Sequence, residues 1–166
     1  MTPDKWVRRW RERRREPLEA FLVDDAEQTV VLRDGRADMS LVRLPVDREG
    51  LHLVKLYAEQ PVVVASRDHV VAAFDTIDVA ELADEHRWSL EQVSAKDAVE
   101  AVAAGTGVVV LPLSLARLHH RRDVVAVPVE GVDEPEVGLA WLVERDDELT
   151  QEFVGIARGR TSRSSR

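Results

Sequence analysis

The spacing of apolar residues changes period most clearly between Ser94 and Arg117, SAKDAVEAVAAGTGVVVLPLSLAR. Ala95, Ala98, Val99, Val102 and Ala103 recur at i, i+3, i+4, i+7 and i+8, which is the apolar stripe of one helix. Ser94 stands where a hydroxyl can accept an orphan N–H of the first turn. Gly105 can supply the left-handed residue that ends the helix. Val108 to Leu111 then runs apolar without a break, as a strand covered on both faces does, and Pro112 closes it. Helix, glycine and buried strand predict half of a right-handed crossover in a parallel sheet.

The same punctuation occurs about 70 residues earlier. Asp24 or Asp25 can cap a helix through Asp34, Gly35 ends it, and Ala37 to Val42 reads as a strand closed by Arg43-Leu44-Pro45. Two such α/β units in a short chain suggest two lobes with a cleft between them.

The remaining segments follow the same alternation. Thr2-Pro3-Asp4 starts a helix with Pro3 at its first position. Trp6 and Trp10 share one face of it and are expected to anchor it to a sheet, with Arg8 to Arg15 in solvent. Leu18 to Val23, Leu51 to Tyr57, Val62 to Ala65, Val124 to Val129 and Val137 to Val143 read as strands. Asp78 to Glu85 reads as a short helix with Val79, Leu82 and Ala83 inward, and a second runs from Ser114 to about His120. Asp146-Asp147 opens a last helix that buries Leu149, Phe153 and Ile156. From Gly159 onward the composition is that of a mobile tail. Alternating helices and strands make the fold class α/β.

Composition narrows the function. The chain is 45% apolar and 33% charged, without a run near the ~18 apolar residues needed to span a bilayer. Its first residues are polar and basic, unlike a secretory signal, so a cytoplasmic location is expected and no membrane partner. It has no cysteine, which excludes disulfides, zinc-thiolate sites and thiol catalysis from these residues. The net charge of −8 is uneven: residues 1–16 carry seven Lys/Arg against three acids, and 158–166 adds four arginines without an acid. The acidic body argues against specific DNA binding by this chain alone, since such affinity comes largely from neutralising phosphates.

No catalytic set emerges. His119 and His120 are adjacent, so on a helix they point about 100° apart and cannot share a metal. Asp24-Asp25 and Asp146-Asp147 are explained by helix starts, where carboxylates meet free N–H groups. Gly105-Thr106-Gly107 follows a helix and lacks the lysine of a phosphate loop. Binding remains, and in open α/β sheets ligands lie beyond the carboxyl ends of strands, often against helix N-termini. That rule gathers Thr2 and Asp4, Arg43, and Ser94 with Lys96. Arg43 either pairs with a local acid such as Asp47 or offers two donors to a ligand carboxylate.

The segments TPDKWVRRWRERRREPLEAFLVDD, DGRADMSLVRLP, LYAEQPVVVASRDH, DVAELADE and VEAVAAGTGVVVLPLSLAR together resemble the effector-binding domain of LysR-type transcriptional regulators. The ending FVGIARGRTSRSSR looks like a stand-alone, actinobacterial-type subgroup without the DNA-binding helix-turn-helix. The resemblance implies a two-lobed type 2 periplasmic-binding-protein fold, here reduced: the family's first strand would precede Thr2, and about twenty residues would be missing between Trp88 and Ser94. It places lobe I at 1–60 and 143–158 and lobe II at 61–142, with hinge strands near 61–66 and 137–143 and a basic tail at 159–166. It implies an effector pocket ringed by Thr2, Asp4, Asp25, Arg43, Ser66, Ser94 and Lys96.

The expected protein is a non-enzymatic binder of a small, anionic effector, serving transcription regulation or metabolite sensing, with no cofactor or metal. A homodimer is expected because Val30, Val31 and Leu32 exceed what one buried face requires. Two other readings stay open: an enzyme on the same fold, and a nucleic-acid accessory protein using the basic first helix and tail.

Overall fold

A computed structural model describes residues 3–159. The described residues divide into two compact units, one formed by 3–57 with 136–159 and the other by 58–135.

The first unit is built on a three-stranded sheet in the order β1 (Ser40–Arg43), β8 (Glu136–Leu142), β2 (Leu51–Ala58). Because successive strand residues face opposite sides, β8 serves two cores. Leu139 and Trp141 pack with Val154 and Phe153 of α5 (Glu148–Ala157). Ala140 packs on the other side with Val31 and Leu32 of α2 (Val30–Arg33), Val42 and Leu51. Helix α1 (Asp4–Arg13) lies against α5. Trp6 and Trp10 both meet Phe153, with ring centroids 6.4 and 6.1 Å apart, so the tryptophan pair anchors α1 to a helix rather than to a sheet. The Trp10 indole N–H donates to the Glu16 carbonyl at 2.8 Å. The rim is ionic: Arg14 meets Glu148 at 3.0 Å, and Arg13 lies 3.8 Å from Glu152.

The second unit carries a five-stranded sheet in the order β4 (Ile77–Asp78), β7 (Val124–Glu130), β3 (Pro61–Ser66), β6 (Val108–Pro112), β5 (Arg87–Trp88). Strand β3 is buried from Pro61 to Ala65. Val62 and Val64 face α3 (Ala95–Ala103), joining Ala98, Val99, Val102, Val109, Leu111 and Ala116 of α4 (Leu113–Leu118). Val63 and Ala65 face the opposite core with Val71, Ile77 and Leu82. Each fully buried valine, leucine or isoleucine of this set stabilises by about 1.5–3 kcal/mol relative to exposure.

The predicted crossover is present as β5–α3–β6, with β5 and β6 parallel. The sheet around it is mixed, since β3 runs antiparallel to both β6 and β7. The earlier helix–glycine–strand unit has no parallel partner among the described residues; β1 pairs antiparallel with β8. Its expected Asp24–Asp34 helix is broken into a 3-10 turn at Asp25–Glu27 and the short α2, and neither start has a side-chain cap. Leu18 to Val23 belongs to no strand. Pro3 sits at the cap position, one place before the first helical residue. Asp78–Glu85 shortens to a 3-10 helix at Val79–Leu82, and Ala83 is exposed. Leu149 is also exposed, because Thr150, Val154 and Ile156 take the buried side of α5. Strand β3 falls wholly within the second unit and β8 wholly within the first. The expected tail lies outside the described residues beyond Gly159.

Candidate functional site

Arg43 ends β1, and its backbone is fixed from two sides. On the β8 side the register pairs Arg43 with Val137, and the following Leu44 N–H donates to the Glu136 carbonyl at 2.9 Å. On the other side the Gln28 carboxamide accepts the Arg43 N–H on Oε1 at 2.8 Å and donates from Nε2 to the Arg43 carbonyl at 3.0 Å. A side chain thereby makes the pair of bonds a neighbouring strand would make.

The Arg43 side chain is only 11% exposed, and its guanidinium meets the Asp25 carboxylate at 2.5 Å. A local acid therefore meets Arg43: Asp25 from the 3-10 turn, where the sequence offers Asp47 as an example. Asp47 is engaged by Arg33, whose Nη2 also donates to the Asp47 carbonyl at 3.2 Å. Two of the predicted site residues, Asp25 and Arg43, are thus in direct contact. Gln28 was not among them, because the segment reads as uninterrupted helix; a lone glutamine before a strand carries no sequence signal of its own.

Asp4 begins α1 and lines a groove of about 690 Å³ between that helix and Leu18–Ala20. Thr2 lies outside the described residues.

In the second unit, Ser94 caps α3 as expected, with Oγ accepting the Asp97 N–H at 3.1 Å. The N–H groups of Ala95 and Lys96 belong to the first turn, which the intrahelical ladder leaves without partners. Lys96 is exposed beside them. Ser66 closes β3, and its Oγ accepts the Asp68 N–H at 3.3 Å. Just beyond it, His69 makes a contact that sequence reasoning missed. Its Nδ1 accepts the Val71 N–H at 3.1 Å, which puts the proton of the neutral ring on Nε2, 3.0 Å from Glu85. Gly107 is forced by its surroundings: its φ is +103°, and a Cβ there would stand 2.2 Å from the His86 carbonyl oxygen.

Charge separates the two units sharply. Residues 58–135 hold fourteen acids and six Lys/Arg, a balance of −8, while the rest of the chain holds seventeen of each. All of the formal charge of −8 therefore sits in the second unit, and an anion's favourable electrostatics must come from individual donors rather than from a field. No group of three or more metal-ligating side chains occurs among the described residues.

The model of the LysR substrate binding domain family matches residues 5–95. No curated protein matches the chain by sequence. Among solved structures, the chain is similar to a Corynebacterium glutamicum OxyR C206 mutant, with TM-score 0.70 and 20% identity over 92% of this chain. It spans 58% of that protein. The BenM effector binding domain with its effector benzoate aligns with TM-score 0.72 and 16% identity, over 94% of this chain and 84% of that one. The effector binding domain of QuiR in complex with shikimate gives TM-score 0.72 and 16% identity, over 95% and 89%. At these identities the likeness shows the fold, the type 2 periplasmic-binding-protein-like one that the resemblance implied.

Proposed function

The chain belongs to the LysR substrate binding domain family, and from that premise we propose that it binds a small carboxylate effector through Arg43 in a regulatory or sensing role. The observation that supports this reading is the preparation of Arg43. Its backbone is clamped by Gln28, its side chain is largely removed from water, and a half-exposed acid already occupies one of its donors. Burial and prior orientation reduce the ordering cost of a bidentate contact between the guanidinium and a ligand carboxylate.

The neighbours narrow the ligand class. Benzoate, the effector of BenM, and shikimate, bound by QuiR, are both small carboxylates. OxyR, seen in a C206S form with H2O2 bound, is of another kind, and the 166 residues here contain no cysteine with which to read a peroxide. The class we assign is therefore the carboxylate one. Asp4 in the first unit, and Ser66, Ser94 and Lys96 in the second, remain further candidate ligand contacts, each within its own unit; at the start of α3 the donors are the Ala95 and Lys96 N–H groups and the Lys96 cation. The role is regulatory rather than catalytic, exercised in the cytoplasm by a homodimer.

A thermal-shift series with small aromatic and alicyclic carboxylates, benzoate and shikimate among them, tests the reading. A ligand at 100 times its Kd stabilises the folded chain by about 2.7 kcal/mol. The expected result is a Tm rise with at least one carboxylate that its amide analogue does not give, and that Arg43→Ala abolishes. Equal stabilisation of wild type and Arg43→Ala would overturn it.

A further inference from the structure

We infer that the cavity between the turns that follow β3 and β4 is a second binding site, which takes a small organic cation: a primary ammonium on a compact apolar body. It lies wholly within 58–135 and uses none of the residues assigned to the carboxylate, so it goes beyond the reading above.

The cavity holds about 230 Å³. Its walls come from the 3-10 turn Val70–Ala73 after β3 and from the 3-10 turn Val79–Leu82 after β4. The apolar lining is of two kinds. Val71, Ile77 and Leu82 belong to the buried core, whereas Val70 and Phe74 are 65% and 38% exposed. A valine and an aromatic ring left bare at a hollow are surface that the apolar body of a ligand covers favourably. At a volume below the roughly 300–1,000 Å³ of ordinary ligand pockets, the occupant is a small molecule.

The polar lining is His69, Glu81 and Glu85, and none of these side chains is left to donate. His69 accepts the Val71 N–H on Nδ1, so the neutral ring has its one N–H on Nε2, and Glu85 takes it at 3.0 Å. That contact holds the Glu85 carboxylate by Oε2 alone. Glu81 likewise uses only Oε2, on the Asp78 N–H at 3.2 Å. Two carboxylates with acceptor capacity to spare and no side-chain donor repel an anion. A primary ammonium brings three donors and the opposite charge.

The surroundings have the same sign. Residues 68–85 contain six acids and neither lysine nor arginine. Among the described residues, neither Glu81 nor Glu85 is paired with a lysine or arginine. The unit's balance of −8, which denies an anion a favourable field, supplies one to a cation. A metal ion is the poorer occupant: no three ligating side chains come together among the described residues, and an ion would leave Val70 and Phe74 in water.

Calorimetry on the whole chain at neutral pH, with phenethylamine, benzylamine and isoamylamine, tests the site. At least one amine should bind, and the alcohol of the same shape should bind at least about tenfold more weakly. Glu85→Gln keeps an oxygen for the His69 N–H, and Glu81→Gln keeps one for the Asp78 N–H, so both remove charge without removing those bonds. Each should weaken the amine about 10- to 150-fold, the effect of losing one charged hydrogen bond. Phe74→Ala, at an exposed position, should weaken it several-fold. Glu100→Gln makes the same charge change on α3 and should leave the affinity as it is, as should Arg43→Ala in the other unit.

An amine that loses as much affinity in Glu100→Gln as in Glu81→Gln and Glu85→Gln is drawn by the unit's charge alone, and the site is overturned. Alcohols that bind as well as amines overturn the cation. Tetralysine that binds more tightly than every amine and ignores Phe74→Ala overturns the small molecule in favour of a basic partner protein. No heat and no Tm rise with any of the three amines at millimolar concentration overturns the inference outright, and leaves the carboxylate reading at Arg43 untouched.

Discussion

The carboxamide of Gln28 brackets the backbone of Arg43, accepting its N–H at 2.8 Å and donating to its carbonyl at 3.0 Å. A main-chain rung at the end of β1 is thus supplied by a side chain. The arginine most suited to meet an anion owes its position to a residue that meets none.

Gln28→Ala removes both bonds, and each such bond contributes about 0.5–1.5 kcal/mol net, so a loss of about 1–3 kcal/mol is expected in urea unfolding. Gln28→Glu should cost more at neutral pH, because it turns a carboxylate oxygen toward the Arg43 carbonyl. The clamp is absent if Gln28→Ala unfolds with the wild-type midpoint and slope.

Ser94→Ala should destabilise by about 1 kcal/mol, the usual cost of deleting an N-cap side chain, while Ser94→Asp keeps an acceptor for the Asp97 N–H and stays near wild type. Chemical denaturation of the three proteins checks this. Equal stability of Ala and Asp variants would remove the cap from the account of α3.

What could be read in advance divides along physical lines. The Ser94 cap, the α3 stripe and the Val108–Pro112 strand were legible because one continuous segment contains their whole cause. The antiparallel setting of β3 between β6 and β7 was not, since Val62 to Ala65 is apolar on both faces and pairs equally well in either direction. The Asp24–Asp34 helix failed because Gln28 and Asp25 find better partners on Arg43 than in a continuous helix. Of the proposed ligand residues, the sequence brought out Arg43 and Asp25 separately but not their contact, which spans eighteen positions.

Gly107→Ala should be among the most damaging single-methyl additions in the chain. Its φ of +103° disfavours any side chain, and the new Cβ would meet a backbone carbonyl, His86, at 2.2 Å. That carbonyl accepts the Val108 N–H at 2.8 Å, so the clash also disturbs the start of β6. A loss of about 1–3 kcal/mol from strain alone is expected, read as a lower Tm and denaturation midpoint. Gly105→Ala, where nothing lies within 4 Å of the added carbon, should cost less.

Asp147 gives a pH dependence of known sign. The Thr150 N–H, donated to it at 2.8 Å, is the largest influence and holds its carboxyl below the ordinary range, against a smaller opposing effect of burial. A carboxyl depressed on folding stabilises fully above its unfolded value, about 3.9, and the contribution disappears as pH falls through the folded value. Asp147→Asn keeps an oxygen for the cap but cannot titrate. The stability difference between wild type and Asp147→Asn should therefore be greatest at neutral pH and shrink below about pH 4. A difference that grows toward acid would reverse the assignment.

The Arg43–Asp25 pair makes opposite demands on a ligand and on the empty protein, and variants at the two positions separate them. Without ligand, Asp25 pairs with an arginine whose side chain is largely buried, so Arg43→Ala leaves Asp25 half-exposed and easily hydrated, at modest cost to folding. With a carboxylate bound, the same substitution removes charged hydrogen bonds of about 1.5–3 kcal/mol, an affinity loss of about 10- to 150-fold. Arg43→Lys should restore the charge but not the fork, and so recover only part of it. Asp25→Asn works the other way: it removes a like charge beside the bound carboxylate and should tighten binding several-fold while leaving the arginine less firmly held. Calorimetry with whichever carboxylate raises Tm, on wild type and the three variants, reads all of this at once. The order expected is Asp25→Asn tightest, then wild type, Arg43→Lys and Arg43→Ala. If Asp25→Asn weakens binding as much as Arg43→Ala does, Asp25 orients the guanidinium rather than competing with the ligand for it.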